Sequence, residues 1–225
     1  MRLLSTKLLA ASFKDRLIQN GFSLVEYPFI TLKPVSPNFS QIESQLVFSS
    51  QNAVHLAFSN AKLKSKLEGK QFFCVGEKTQ ALLVGLGQKV IKMCENSALL
   101  ADFIVKNHKN DRFTFICGRL RRPEIEIALK HHQMALECIE IYETLLTPKT
   151  FENEFDGILF FSPSAVESYF KQNSWNPSTH GFCIGSTTAS TLQKYTSHYS
   201  IAKAPNESQL LLSIHQYYTQ HYAQK

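Results

Sequence analysis

The residues best suited to chemistry stand at five corners, where a short apolar run gives way to Ser, Thr, Gly or Asn. They are Ser49-Ser50-Gln51-Asn52, Gly76-Glu77-Lys78-Thr79, Gly118-Arg119, Ser162-Pro163-Ser164 and Gly185-Ser186-Thr187-Thr188. If each apolar run is a parallel strand and a helix follows it, these corners lie outside the carboxyl ends of the strands, where open α/β sheets bind ligands. Backbone N–H groups at a helix start attract anions, and the hydroxyls add donors. The competing reading is local, because Ser, Thr and Asn also begin helices simply by capping them. A single corner is most simply a cap; five around one cleft would favour a polyanion site.

Charged and phenolic candidates stand beside these corners. Arg119, Arg121 and Arg122 follow an apolar run, and Lys7 holds the analogous place in the first unit; such groups pair with carboxylates or phosphates. For Arg121 and Arg122 a solvated basic helix start beside Glu124 and Glu126 serves equally well, which leaves Arg119 as the better ligand candidate. The phenol of Tyr142 could donate a proton to a leaving group, or pack as a strand aromatic, and position alone favours packing. Walker, GxGxxG, GxSxG and HExxH patterns are missing from the sequence. The histidines show no ligand spacing: His131 and His132 are adjacent, and His215 and His221 lie in a polar, Tyr-rich stretch that reads as surface helix or tail.

The elements that must position these groups come in a repeat. Leu46 to Val54 (LVFSSQNAV) is echoed by Ile158 to Val166 (ILFFSPSAV), and Phe73 to Thr79 (FCVGEKT) by Phe182 to Thr188 (FCIGSTT). Asn96 to Leu100 answers Glu207 to Leu211, and Glu26 to Pro34 answers Glu140 to Pro148. The order is kept, and the spacing is nearly constant. Each repeat alternates apolar run, corner and helical pattern, the grammar of a parallel sheet covered by helices. Residues 8–20 show the helical part, with Leu9, Phe13 and Leu17 on one stripe and Gly21 as the stop. Tyr27 to Pro34 and Ile141 to Pro148 are different: extended, bounded by proline and without a helix, as suits connectors or edge strands.

Composition fits an ordinary globular chain of 225 residues with 44% hydrophobic and 19% charged residues, which excludes disordered and fibrous classes. Length alone leaves one domain or two undecided. No apolar run approaches the roughly 18 residues of a membrane helix. Lys7 interrupts the apolar N-terminus and Lys14 and Arg16 follow closely, so residues 1–25 read as folded protein rather than a signal peptide. Five cysteines without a CxxC pair, three of them (Cys74, Cys117, Cys183) inside apolar runs, suit reduced thiols and a cytoplasmic location. The net charge of +6 favours an anionic partner without naming it.

Taken together, VFSSQNAV (47–54), CVGEKT (74–79), IYET (141–144), FFSPSAV (160–166) and IGSTTASTL (184–192) resemble the uroporphyrinogen-III synthase family, with weaker matches at CGRLRRPEI and APNESQLL. The resemblance runs over almost the whole chain. It departs at Ser5-Thr6-Lys7, where the family usually has Thr-Arg. It implies two similar parallel-sheet α/β domains (flavodoxin-like lobes), joined by a two-stranded β linker, with the active site in the cleft between them. One domain would combine residues 1–26 with 149–225, the other would span 35–140, and 27–34 and 141–148 would be the linker strands. The implied reaction closes the linear tetrapyrrole hydroxymethylbilane into uroporphyrinogen III, with loss of water and inversion of the last ring.

By the same resemblance Tyr142 is the acid that assists hydroxide loss. Ser50, Ser162, Ser164, Thr187 and Thr188 hold the substrate's carboxylates, with Arg119 and Lys7 as additional cations. No cofactor and no metal are implied, and the chain is expected to act as a cytoplasmic monomer without nucleic-acid or membrane partners. A non-catalytic two-lobed α/β protein that binds an anionic small molecule would share these features. A nucleic-acid binder would use the positive charge, but the basic residues are dispersed and no reader motif stands out.

Overall fold

The computed structural model describes residues 1–37 and 41–222. In chain order the strands are β1 (Arg2–Ser5), β2 (Ser23–Glu26), β3 (Ile30–Pro34), β4 (Gln45–Phe48), β5 (Gln71–Val75), β6 (Lys89–Cys94), β7 (Phe113–Gly118), β8 (Leu136–Leu146), β9 (Gly157–Phe160), β10 (His180–Cys183) and β11 (Tyr199–Ile201). The helices are α1 (Ala11–Gln19), α2 (Gln51–Ser59), α3 (Ala61–Leu67), α4 (Glu77–Gly85), α5 (Ser97–Asn107), α6 (Glu124–His131), α7 (Pro163–Tyr169), α8 (Ser186–Leu192) and α9 (Glu207–Tyr222). The chain divides into two units, one of Met1–Thr31 with Leu145–Lys225 and one of Leu32–Thr144.

In the first unit the strand order is β2-β1-β9-β10-β11, every pair parallel. In the second, β8-β7-β4-β5-β6 is likewise parallel throughout, and β3 is added at the β8 edge. The two orders are the same once the chain is entered at a different strand: β7 and β8 answer β1 and β2, while β4, β5 and β6 answer β9, β10 and β11. The echo of Leu46 to Val54 in Ile158 to Val166 is thus β4–α2 matched with β9–α7. Numbered in chain order, the first unit is the doubly wound 2-1-3-4-5 kind and the parallel strands of the second are the 3-2-1-4-5 kind, and the reversal falls between β1 and β9 in one and between β7 and β4 in the other.

Burial explains the strands. All six residues of β7 (FTFICG) are buried, as a strand covered on both faces requires. Nine phenylalanines are among the largest fully buried side chains, each contributing roughly 1.5–3 kcal/mol. Each of the four apolar clusters draws its residues from one unit. The N-terminal run is part of this core, with Leu3 and Leu4 fully buried, and α1 buries Phe13 and Leu17 before Gly21 ends it at φ +80°. Cys74, Cys117 and Cys183 are buried free thiols on β5, β7 and β10, as the apolar runs predict.

One segment differs from the reading of the sequence, and the C-terminal stretch takes the helical one of its two alternatives. Within the extended stretch 141–148, residues 141–146 are the second half of an eleven-residue strand that begins at Leu136 and lies inside the six-stranded sheet; only 30–34 is an edge strand, with Pro34 as its last residue. The polar C-terminal stretch is the helix α9, in which His215 packs edge-on against Phe22; the side chain of His221 lies outside the described residues. Among the described residues no helix is long and apolar enough to cross a membrane, and no group of His, Cys, Asp and Glu could hold a metal ion.

Candidate functional site

The corners are formed by local chemistry. Ser50 caps α2, its Oγ accepting from the N–H of Asn52 at 3.1 Å, and Ser162 caps α7 by accepting from Ala165 at 3.1 Å, with Pro163 in the first turn. Asn96 caps α5 in the same way. The corners that precede α4 and α8 have glycine instead: Gly76 takes φ +86°, a conformation that side chains disfavour, and neither Gly76 nor Gly185 is replaced by a capping side chain. Capping therefore accounts for the position of both serine hydroxyls, yet each still has its own proton to donate.

In the second unit, a pocket of about 330 Å³ opens at the carboxyl ends of the strands, at the reversal of strand order between β4 and β7. Ser50, Asn96, Ser97, Gly118, Arg121 and Tyr142 contribute to its walls. Tyr142 is 6% exposed and donates from its hydroxyl to Ser50 Oγ at 3.4 Å, long for an O–H···O bond and so readily exchanged for a bond to a ligand. Burial raises its pKa above the ordinary tyrosine value and outweighs the opposing Ser50 bond, which keeps the phenol protonated at neutral pH. Its ring lies against the backbone of Gly118, where an added Cβ would fall 2.8 Å from the hydroxyl. A side chain at position 118 would displace the ring.

The arginines are already engaged. Arg119, half-exposed, pairs with Glu140 at 3.3 Å and Glu143 at 3.4 Å, and is not among the residues that line the pocket. Arg121 was expected either to bind a ligand or to sit in solvent; instead its side chain is mostly buried between Glu126 at 2.7 Å and Glu140 at 2.7 Å. The guanidinium in turn holds the Glu140 carboxyl below the usual carboxylate range. Arg122 is exposed at the pocket wall.

In the first unit Lys7, Ser162 and Thr187-Thr188 follow β1, β9 and β10, three neighbouring strands, again at the carboxyl ends and at the reversal of order. The Lys7 ammonium is 3.1 Å from Glu207 at the start of α9 and 4.3 Å from the centroid of Phe161, contacts that place it without saturating its three donors. Ser164 is half-buried in the first turn of α7. Thr187 is exposed, whereas Thr188 is only 3% exposed. The structure thus brings Ser50 and Tyr142 together in the second unit, and gathers Lys7, Ser162, Ser164, Thr187 and Thr188 at one end of the first. Glu207, Phe161 and Glu140 had no signal in the sequence, because each acquires its partner only through strand order.

The class defined here is a protein of two parallel α/β units that carries hydroxyls, a lysine and a protonated phenol at the carboxyl ends of its strands. The family model described as uroporphyrinogen-III synthase HemD matches residues 11–211. A curated uroporphyrinogen-III synthase from Chlorobaculum parvum is 26% identical over 211 residues, 82% of this chain and 85% of its own. Among solved structures, the uroporphyrinogen-III synthetase of Helicobacter pylori shares the fold at a TM-score of 0.73 and 17% identity, covering 96% of this chain and 100% of its own. A mutant uroporphyrinogen III synthase of Thermus thermophilus does so at 0.69 and 15%, covering 98% and 100%. The chain belongs to the uroporphyrinogen-III synthase family, the cyclizing lyases of tetrapyrrole biosynthesis.

Proposed function

We propose that this chain closes hydroxymethylbilane into uroporphyrinogen III, expelling the terminal hydroxyl as water and inverting the last pyrrole. The observation that carries this reading is the buried, protonated Tyr142 phenol on its long bond to Ser50, in a chain of this family. Electrons of the terminal pyrrole push out the hydroxyl, and the Tyr142 proton goes to that oxygen to complete a water molecule. The substituted α-carbon of the last pyrrole then attacks the exposed methylene; its bond to the neighbouring bridge methylene breaks, that methylene re-bonds to the ring's other, unsubstituted α-carbon, and the proton lost from this second carbon restores the phenol. The chemistry needs positioning and one proton donor rather than a nucleophile.

Eight carboxylates on the substrate match the +6 charge of the chain. Ser50, Ser162, Ser164, Thr187 and Thr188 would hold them together with helix-start N–H groups. Lys7 and Arg119 are additional cations in this reading, each already beside acidic partners. Residues 1–26 with 149–225 and residues 35–140 act as the two domains, 27–34 and 141–148 as the connections, and the enzyme works as a cytoplasmic monomer without a cofactor. The test is to supply freshly made hydroxymethylbilane and separate the ring isomers. Type III product is expected; exclusive type I product, which arises by spontaneous closure, would overturn the proposal.

A further inference from the structure

The pairing of β7 with β8 changes register beside the pocket. Cys117 faces Glu140, but the next residue, Gly118, faces Tyr142, so Ile141 is the extra residue of a bulge. Bulges are rare between parallel strands, and where they occur next to active sites they re-aim a side chain. Here the bulge sets the Tyr142 ring against a residue with no side chain to obstruct it. The backbone closes behind it, with the Arg119 N–H donating to the Tyr142 carbonyl at 2.9 Å.

Arg121 spans this bulge. Its Nη1 donates to the Gly118 carbonyl at 3.2 Å on one strand and to Glu140 Oε1 at 2.7 Å on the other. Its Nε and Nη2 hold both oxygens of Glu126, on α6, at 2.7 and 3.0 Å. A planar fork of this kind fixes direction as well as distance. The rival role, capture of a substrate carboxylate, is disfavoured by its partners: every nitrogen of the Arg121 fork already donates to Glu126 or Glu140.

We infer that Arg121, with Gly118, is a positioning residue for Tyr142: the guanidinium staples the β7–β8 bulge, and the bare Gly118 gives the phenol its place. The inference rests on Tyr142 being the acid of the proposed reaction.

A double-substitution cycle on the full chain, with hydroxymethylbilane as substrate, tests it. Arg121→Gln is expected to lower kcat by about tenfold to a hundredfold, the cost of misplacing a reacting group by about 1 Å, with KM within about twofold of the parent. Made in the Tyr142→Phe background, the same substitution should cost nothing further, since it acts through a hydroxyl that is gone. Additive losses, a raised KM at unchanged kcat, or no loss would each overturn the inference. A Tyr142→Phe single variant that runs at the parent rate would instead overturn the acid reading, and the inference with it. Near-UV circular dichroism reports folding; where Arg121→Gln does not fold, Gly118→Ala enters the same cycle with the same outcomes.

Discussion

Tyr142 is both a core residue and a chemical group, and the two roles are linked. It packs with Ile116, Ile139 and Ile141 in one apolar cluster, and that burial is what raises its pKa. The folded state therefore favours the neutral phenol: the stability it contributes is complete below the ordinary value of about 10 and is lost as the pH rises through the higher folded value. The same sign governs activity. Turnover should show no alkaline limb from this group below about pH 10, and Tyr142→Phe should lower kcat by about a hundredfold, within the usual range for a general acid. A parent-like rate in that variant would sink the acid assignment. Position in the sequence pointed to packing and the family resemblance to acid chemistry, and neither could reveal that one follows from the other. Arg121 was illegible for a simpler reason: Glu140 stands far along the sequence and reaches it only through the β7–β8 pairing.

Elements decide which of the corner hydroxyls is structural. Ser162 completes the start of α7, so Ser162→Ala should cost about 1 kcal/mol in thermal or denaturant unfolding, whatever it does to binding. Thr188 is the third residue of α8, buried, in a helix whose N-cap Gly185 has no capping side chain, so Thr188→Val nearly keeps its volume and removes the hydroxyl. Its expected signature is the opposite one: stability changed by less than about 1 kcal/mol and KM raised about tenfold, the loss of one hydrogen bond to a charged group. An unchanged KM would return that hydroxyl to a purely structural role. The central strands could be read from their apolar runs, because both faces are covered. The strands β2, β6 and β11 could not: they contain almost no fully buried residue, and their Ser, Lys and Tyr positions give no apolar run to find.

At the scale of the molecule, the repeat was legible because strands, corners and helices recur in the same order at nearly one spacing. That β1 and β2 stand for β7 and β8 was legible only in part, through Lys7 at the place analogous to Arg119 and through Glu26 to Pro34 answering Glu140 to Pro148, because the strands themselves share little sequence. The shared strand order also has a consequence for synthesis. The second unit is one continuous stretch, Leu32–Thr144, whereas in the first unit β1 must pair with β9, Leu4 against Ile158. Domains fold as units while the chain is being made, and distant pairings must wait for their partner. A chain truncated after residue 150 should therefore protect a fragment covering about 32–144 from protease while residues 1–26 are cut, as mass spectrometry of the digest would show; an equally protected N-terminus would contradict this order. On this order β1, though made before β9, has both its neighbours only once residues 157–160 have followed it.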